Sequence, residues 1–144
     1  MMRYLLDTNV VSELMKPTPS GSVRAWVDAQ ADETLAISAI TVGELLRGVA
    51  KLPAGSRREQ MRKIVETRLI PHFGDRLLPL DTACMTVWAA LTVSCEQNSR
   101  TLPAVDSFIA ATALTHRLTL VTRNTRDFVG TGVELVDPWN VGYG

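Results

Sequence analysis

Apolar positions fall into two rhythms along the chain. Short, nearly unbroken apolar runs occupy 3–7, 35–38, 77–80, 118–122 and 133–136. Runs of this length, rich in Leu, Ile and Val, predict strands of a parallel sheet covered on both faces. Between them, apolar residues recur three and four positions apart. That spacing predicts helices over 9–15, 22–31, 42–51, 56–70, 82–99 and 103–116. Breakers separate these segments: Pro17, Pro19 and Gly21, then Pro53 and Gly55. Pro79 marks its run as a sheet edge or a strand end. Asp81 reads as a helix cap, and Pro103 opens the helix after it. Strands alternating with helices predict one α/β domain over 1–144, a mostly parallel sheet flanked by helices.

Composition narrows the picture. The chain has 144 residues, 46% of them hydrophobic, enough for one sizeable core without staples. Basic and acidic residues balance at 15 each, so bulk charge does not hold the chain to nucleic acid. RNA binding would need a local patch or metal ions. The two cysteines, Cys84 and Cys95, fall in one predicted helix, separated by roughly 16 Å of rise, far beyond disulfide reach. They read as reduced core residues of a cytoplasmic protein. The first apolar stretch is short and ends at Asp7, which predicts no signal peptide, and no run reaches transmembrane length.

In open parallel sheets, ligands bind beyond the carboxyl ends of the strands. Asp7 closes the first strand, Glu44 follows the second, Asp106 lies in the first turn of the helix after Pro103, and Asn124 and Asp127 follow the fourth strand. No Ser-His-Asp or Cys-His arrangement, Gly-rich phosphate loop or zinc spacing is present, and His72 and His116 fall away from these strand ends. Acids gathered at one edge repel one another unless a cation joins them. Hard oxygen ligands suit magnesium or manganese, and such a site can activate water for phosphoryl displacement.

Each acid also has a local explanation. Asp7 fits a helix N-cap. Glu44 completes a capping box with Thr41. Asp106 complements a helix dipole, and Asp127 suits a turn. Asp81, also between a strand and a helix, serves as the comparison that is only a cap. The basic segment with Arg57, Arg58, Arg62, Lys63 and Arg68 is interleaved with Glu59 and Glu66, so it reads as a solvated face with local ion pairs rather than an RNA guide. Trp26, Trp88 and Trp139 read as packing residues, not stacking platforms.

Four segments carry a family resemblance. Residues 5–13 (LLDTNVVSE), 38–48 (SAITVGELLRG), 106–113 (DSFIAATA) and 120–128 (LVTRNTRDF) resemble, in order, the motifs of PIN-domain toxins of the VapC and FitB type, and the closing 137–139 (DPW) is also similar. The resemblance implies a magnesium-dependent endoribonuclease, the toxin of a toxin–antitoxin pair. It carries over Asp7, Glu44 and Asp106 as an acidic triad, with Asp7 and Asp106 as direct metal ligands. The fourth catalytic position is Asp127 or Asn124, and the Thr8 and Thr122 hydroxyls orient ligands from behind. It further implies a homodimer, and an antitoxin of the VapB or FitA type whose C-terminal segment wraps the toxin. Operator DNA is then reached only through the antitoxin, since this sequence carries no DNA-reading module. The groove for the antitoxin is expected along helices near 9–31 and 42–51, with Leu14, Trp26, Leu45 and Leu46 as contacts.

Two rival readings stand beside it. One is a phosphatase with Asp7 as nucleophile, although such enzymes place a second Asp two positions on, where this chain has Asn9. The other is a non-catalytic binding module on the same fold.

Overall fold

In the computed structural model, which describes residues 1–141, Leu5 and Leu6 are neighbours in sequence but bury into different cores. Successive strand residues point to opposite faces, and both faces here are covered. One core gathers Leu5, Ala36, Leu120, Ile109, Ala110 and Leu91, and the other gathers Leu6, Leu35, Ile37, Val121, Val10 and Val23. The apolar runs are therefore unbroken because neither face meets water.

Five strands form the sheet: β1 (Tyr4–Leu6), β2 (Leu35–Ser38), β3 (Leu77–Leu78), β4 (Thr119–Val121) and β5 (Leu135–Val136). Their order is β3-β2-β1-β4-β5, and every neighbouring pair is parallel. The chain builds outward from β1 to one edge and then returns to β4 on its other side. The sheet order thus reverses next to β1, the position where open α/β sheets leave a crevice. Pro79 ends β3, which is an edge strand as its proline predicts.

The helices are α1 (Thr8–Leu14), α2 (Gly21–Asp28), α3 (Ala39–Ala50), α4 (Ser56–Ile64), α5 (Ile70–Phe73), α6 (Thr82–Gln97) and α7 (Ala104–His116). In α7, Ala110, Ala111 and Ala113 are fully buried, small enough to bring the helix close to its neighbours. Cys84 and Cys95 are buried, unpaired thiols of α6. Among the described residues no helix is long and apolar enough to cross a membrane.

The helix expected over 22–31 ends at Asp28, and the strands expected over 77–80 and 133–136 shorten to Leu77–Leu78 and Leu135–Val136. Two further differences have a clear local cause. The helix expected from 42 begins at Ala39, because the Ser38 hydroxyl accepts from the Ile40 N–H at 3.0 Å and caps it. The helix expected over 56–70 reaches Phe73 through a widened π turn at Val65–Leu69. Pro71 lacks the N–H that a regular turn uses and crowds the preceding carbonyl, and the wider turn accommodates it. The basic residues there behave as a solvated face: Arg62 pairs with Glu59 at 2.6 Å and Glu66 at 2.9 Å. The three tryptophans are half-buried packing residues. Trp26 meets Tyr4 edge-on, Trp88 stacks on Phe108, and Trp139 lies under the Arg123 guanidinium.

Candidate active site

The parallel register builds the centre of the site. Leu6 stands opposite Val121, so the next residues, Asp7 and Thr122, leave the sheet side by side. The Thr122 hydroxyl donates to Asp7 Oδ2 at 2.8 Å, and the Thr8 N–H donates to Oδ1 at 2.8 Å. Asp7 is therefore the N-cap of α1, as its position after β1 predicts. It is also only 7% exposed.

Glu44 reaches the same edge from α3. Because α3 starts early, Thr41 lies inside the first turn, buried, and is no N-cap. The capping box with Glu44 does not form. Instead the Thr8 hydroxyl donates to Glu44 Oε1 at 2.5 Å and lies 3.0 Å from the Thr41 hydroxyl. Glu44 is thus tied across to α1, toward Asp7. Asp106 sits in the first turn of α7, half-buried. Asp127 lies in a 3-10 turn after β4, at Thr125–Phe128, and is exposed.

The electrostatics show that these four acids share one field. Burial holds the Asp7 carboxyl above its ordinary value. The hydrogen bonds from Thr122 and Thr8 pull it down, and the charges of Glu44 and Asp127 push it up. Burial also pushes Asp106 up to about 6, with Asp7, Asp127 and Glu44 adding to the effect. Asp81 behaves oppositely. Its carboxylate caps α6 by accepting from the Cys84 N–H at 3.0 Å, and its pKa is lowered, mainly by that bond. Asp81 only caps, whereas Asp7 caps α1 and also feels the charges of Glu44 and Asp127.

Among the described residues, no Lys, Arg or His pairs with Asp7, Glu44, Asp106 or Asp127. The donor set is carboxylate and hydroxyl oxygen, which suits a hard divalent cation. As they stand, no three His, Cys, Asp or Glu side chains among the described residues are grouped closely enough to hold a metal ion. The fit to a hard cation rests on the oxygen chemistry of the donors.

Asn124, the other candidate for the fourth position, is exposed. Its backbone N–H donates to the Thr122 hydroxyl at 3.0 Å, whereas Asp127 shares the field of Asp7 and Asp106. Two contributors lie outside the sequence motifs' acids. Asn9 donates to the Thr122 hydroxyl at 3.3 Å and accepts from the Arg123 N–H at 3.4 Å, joining α1 to the segment after β4. Thr41 closes the hydroxyl pair with Thr8. Both lie inside the resembling segments, but these roles do not show in the sequence, because they depend on which distant elements are neighbours.

Beside Glu44 runs a groove of about 730 Å³ between α1, α3 and α4. Met15, Leu45, Val49, Leu52, Met61 and Ile64 form its apolar lining, with Thr8 and Glu44 also on its wall. Of the expected contacts only Leu45 lines it. Leu14 and Trp26 pack instead against the core under α1 and α2. The second wall comes from α4 rather than α2.

The fold and this site define a single-domain α/β protein with an acidic centre past the carboxyl edge of its sheet. The PIN domain family matches residues 4–132. The chain is 41% identical over 135 residues to VapC ribonuclease Y4jK of Sinorhizobium fredii, covering 94% of this chain and 96% of that protein. It is 38% identical over 136 residues to Toxin FitB of Neisseria gonorrhoeae, covering 94% and 98%. A crystal structure of FitAcB from Neisseria gonorrhoeae matches with a TM-score of 0.90 at 38% identity, over 96% of this chain and 99% of that one. This chain belongs to the PIN-domain family.

Proposed function

We propose that the chain is a magnesium-dependent endoribonuclease and the toxin of a type II toxin–antitoxin pair, working in the cytoplasm. The observation that carries the chemistry is the hydrogen-bonded frame past the carboxyl edge of the sheet, in which Thr122 and the Thr8 N–H hold Asp7 and the Thr8 hydroxyl holds Glu44, with no cationic side chain paired to either acid among the described residues. Asp7 and Asp106 would hold the ion, and Glu44 and Asp127 complete the acidic pocket. A bound magnesium ion supplies an activated water and neutralises charge developing on the phosphoryl group. The chain's own part is orientation. Thr122 fixes one Asp7 oxygen, the Thr8 N–H fixes the other, and the Thr8 hydroxyl aims Glu44. Similarity to proteins named VapC ribonuclease and Toxin FitB supports RNA as substrate.

Partnership follows the same likeness, since a FitAcB structure shares this fold at 38% identity. An antitoxin of the VapB or FitA type would lay an apolar segment along the α1–α3–α4 groove and end near Glu44. Operator DNA would be reached through that partner, and the toxin would pair as a homodimer.

The test is cleavage of total RNA with magnesium by Asp7→Asn, Glu44→Gln and Asp106→Asn, beside thermal melts. Asn caps as well as Asp, so a capping role alone leaves cleavage intact. We expect all three to stay folded and to lose cleavage. Wild-type-like cleavage by any two would falsify the acidic metal-site mechanism.

A further inference from the structure

Two arginines and three small hydroxyl side chains line a cavity of about 330 Å³. One of these, Thr131, already donates to the Phe128 carbonyl. Ser99, Arg100 and Thr101 line it from the α6–α7 connection, and Arg126 and Asp127 from the turn after β4. Pro103, where α7 opens three residues before Asp106, and Asp127 both line the cavity, so it borders the elements that carry two of the acids.

The backbone places Arg100 there. α6 ends in a Schellman turn: the Arg100 N–H donates to the Cys95 carbonyl at 2.8 Å and the Ser99 N–H to the Glu96 carbonyl at 3.0 Å. Ser99 takes the left-handed conformation that closes such a turn, at φ 57°. The guanidinium then lies over Gly130, at φ 87°, and a Cβ on Gly130 would overlap it. Among the described residues neither the Arg100 nor the Arg126 guanidinium forms an ion pair. Donors that a protein leaves unpaired at one cavity are available to a ligand. A guanidinium fork beside hydroxyls matches the oxygens of a phosphate.

The charge balance favours such a site. The chain is neutral overall and its centre holds four acids, so an RNA backbone approaching the centre meets repulsion unless local cations receive it. We propose that this cavity is a backbone-phosphate subsite. In it, Arg100 and Arg126 clamp an RNA phosphate next to the one that is cut, and the Ser99 and Thr101 hydroxyls donate to its oxygens. The subsite rests on the ribonuclease reading above. It reads backbone and not base, so it contributes affinity without sequence preference.

The test uses the full chain with magnesium and a fluorogenic single-stranded RNA, comparing Arg100→Gln, Arg126→Gln and the double variant. Arg24→Gln, whose side chain pairs with Asp28 on α2, is the control. In the double variant KM should rise about tenfold, as loss of charge-assisted hydrogen bonds implies, with kcat unchanged. In an Asp106→Asn background, fluorescence anisotropy with labelled oligouridylate should show the same loss. The salt slope should fall by about 0.7, the value for one phosphate contact on a single strand. If wild type cleaves RNA but the double variant keeps its KM and salt slope, the subsite is wrong and the ribonuclease reading stands. An equal loss in Arg24→Gln would reduce the effect to bulk charge and overturn the subsite. Failure of wild type to cleave or bind any RNA would remove both.

Discussion

Asp7 and Asp81 occupy the same local position, one residue before a helix, and only their surroundings tell them apart. Asp81 faces solvent and caps α6. Asp81→Ala should therefore lower the melting temperature by a few degrees and leave cleavage unchanged. Asp106 carries the opposite signature. In the fold its carboxyl titrates at about 6, against about 3.9 for an unfolded aspartate. The folded chain thus binds this proton more tightly than the unfolded chain does. The stability from that proton is complete below pH ~4 and is lost as the pH rises through ~6. In EDTA, Asp106→Asn should melt above wild type at pH ~8, with the gap closing toward pH ~4. A gap that is constant with pH would show that the Asp106 charge is not strained in the fold. Thr122 is fully buried, and its hydroxyl donates to Asp7 while accepting from Asn9 and the Asn124 N–H. Thr122→Val keeps the shape and strands those partners. It should cost about 1–3 kcal/mol and weaken magnesium binding, which denaturant melts and metal titration read separately.

At the scale of elements, three of the four acids are delivered by a boundary, and only Glu44 by the interior of a helix. Asp7 stands where β1 becomes α1, Asp106 in the first turn of α7, and Asp127 in the turn after β4. These positions were legible because strand runs and helix openings are strong local signals. The start of α3 was not. Residues 39–41 are apolar or small and fit either the strand before them or the helix after, and the Ser38 cap decides between them. That choice turns Glu44 from a capping residue into one held by Thr8. Gly130 is another boundary residue, with Arg100 lying where a side chain would begin. Gly130→Ala retains every charge but displaces that guanidinium. RNA affinity should fall as in Arg100→Gln, while the melting temperature drops from strain at positive φ. Unchanged anisotropy in a folded Gly130→Ala protein would show that the position of Arg100 is immaterial.

For the whole molecule, the proposed function requires a cation at the acidic centre. A ligand that binds only the folded chain stabilises it, by roughly 2.7 kcal/mol at one hundred times its Kd. Magnesium should accordingly raise the melting temperature of wild type and leave Asp7→Asn and Asp106→Asn nearly unmoved. Equal shifts in all three would place the ion elsewhere. The α1–α3–α4 groove is the other unfinished surface. Met61 lines it from α4, away from the acids. Met61→Glu should abolish co-purification with an antitoxin expressed from the same operon, while RNA cleavage persists. A partner still captured by Met61→Glu would move the antitoxin to another face.

The sequence by itself determined the alternation of strands and helices, the two-sided burial of the sheet and the acids after its strands. These follow from periodicity and from side-chain chemistry, which act over a few residues. Which partner each acid touches follows from packing between distant segments. Asp7 and Thr122 are separated by more than a hundred positions, and they touch because β1 pairs with β4 in one register. The same pairing brings Asp127 within electrostatic reach of Asp7 and Asp106, whereas Asp81, spaced just as suggestively, stays a cap. Strand order and register are set by packing between distant segments, and no local pattern records them.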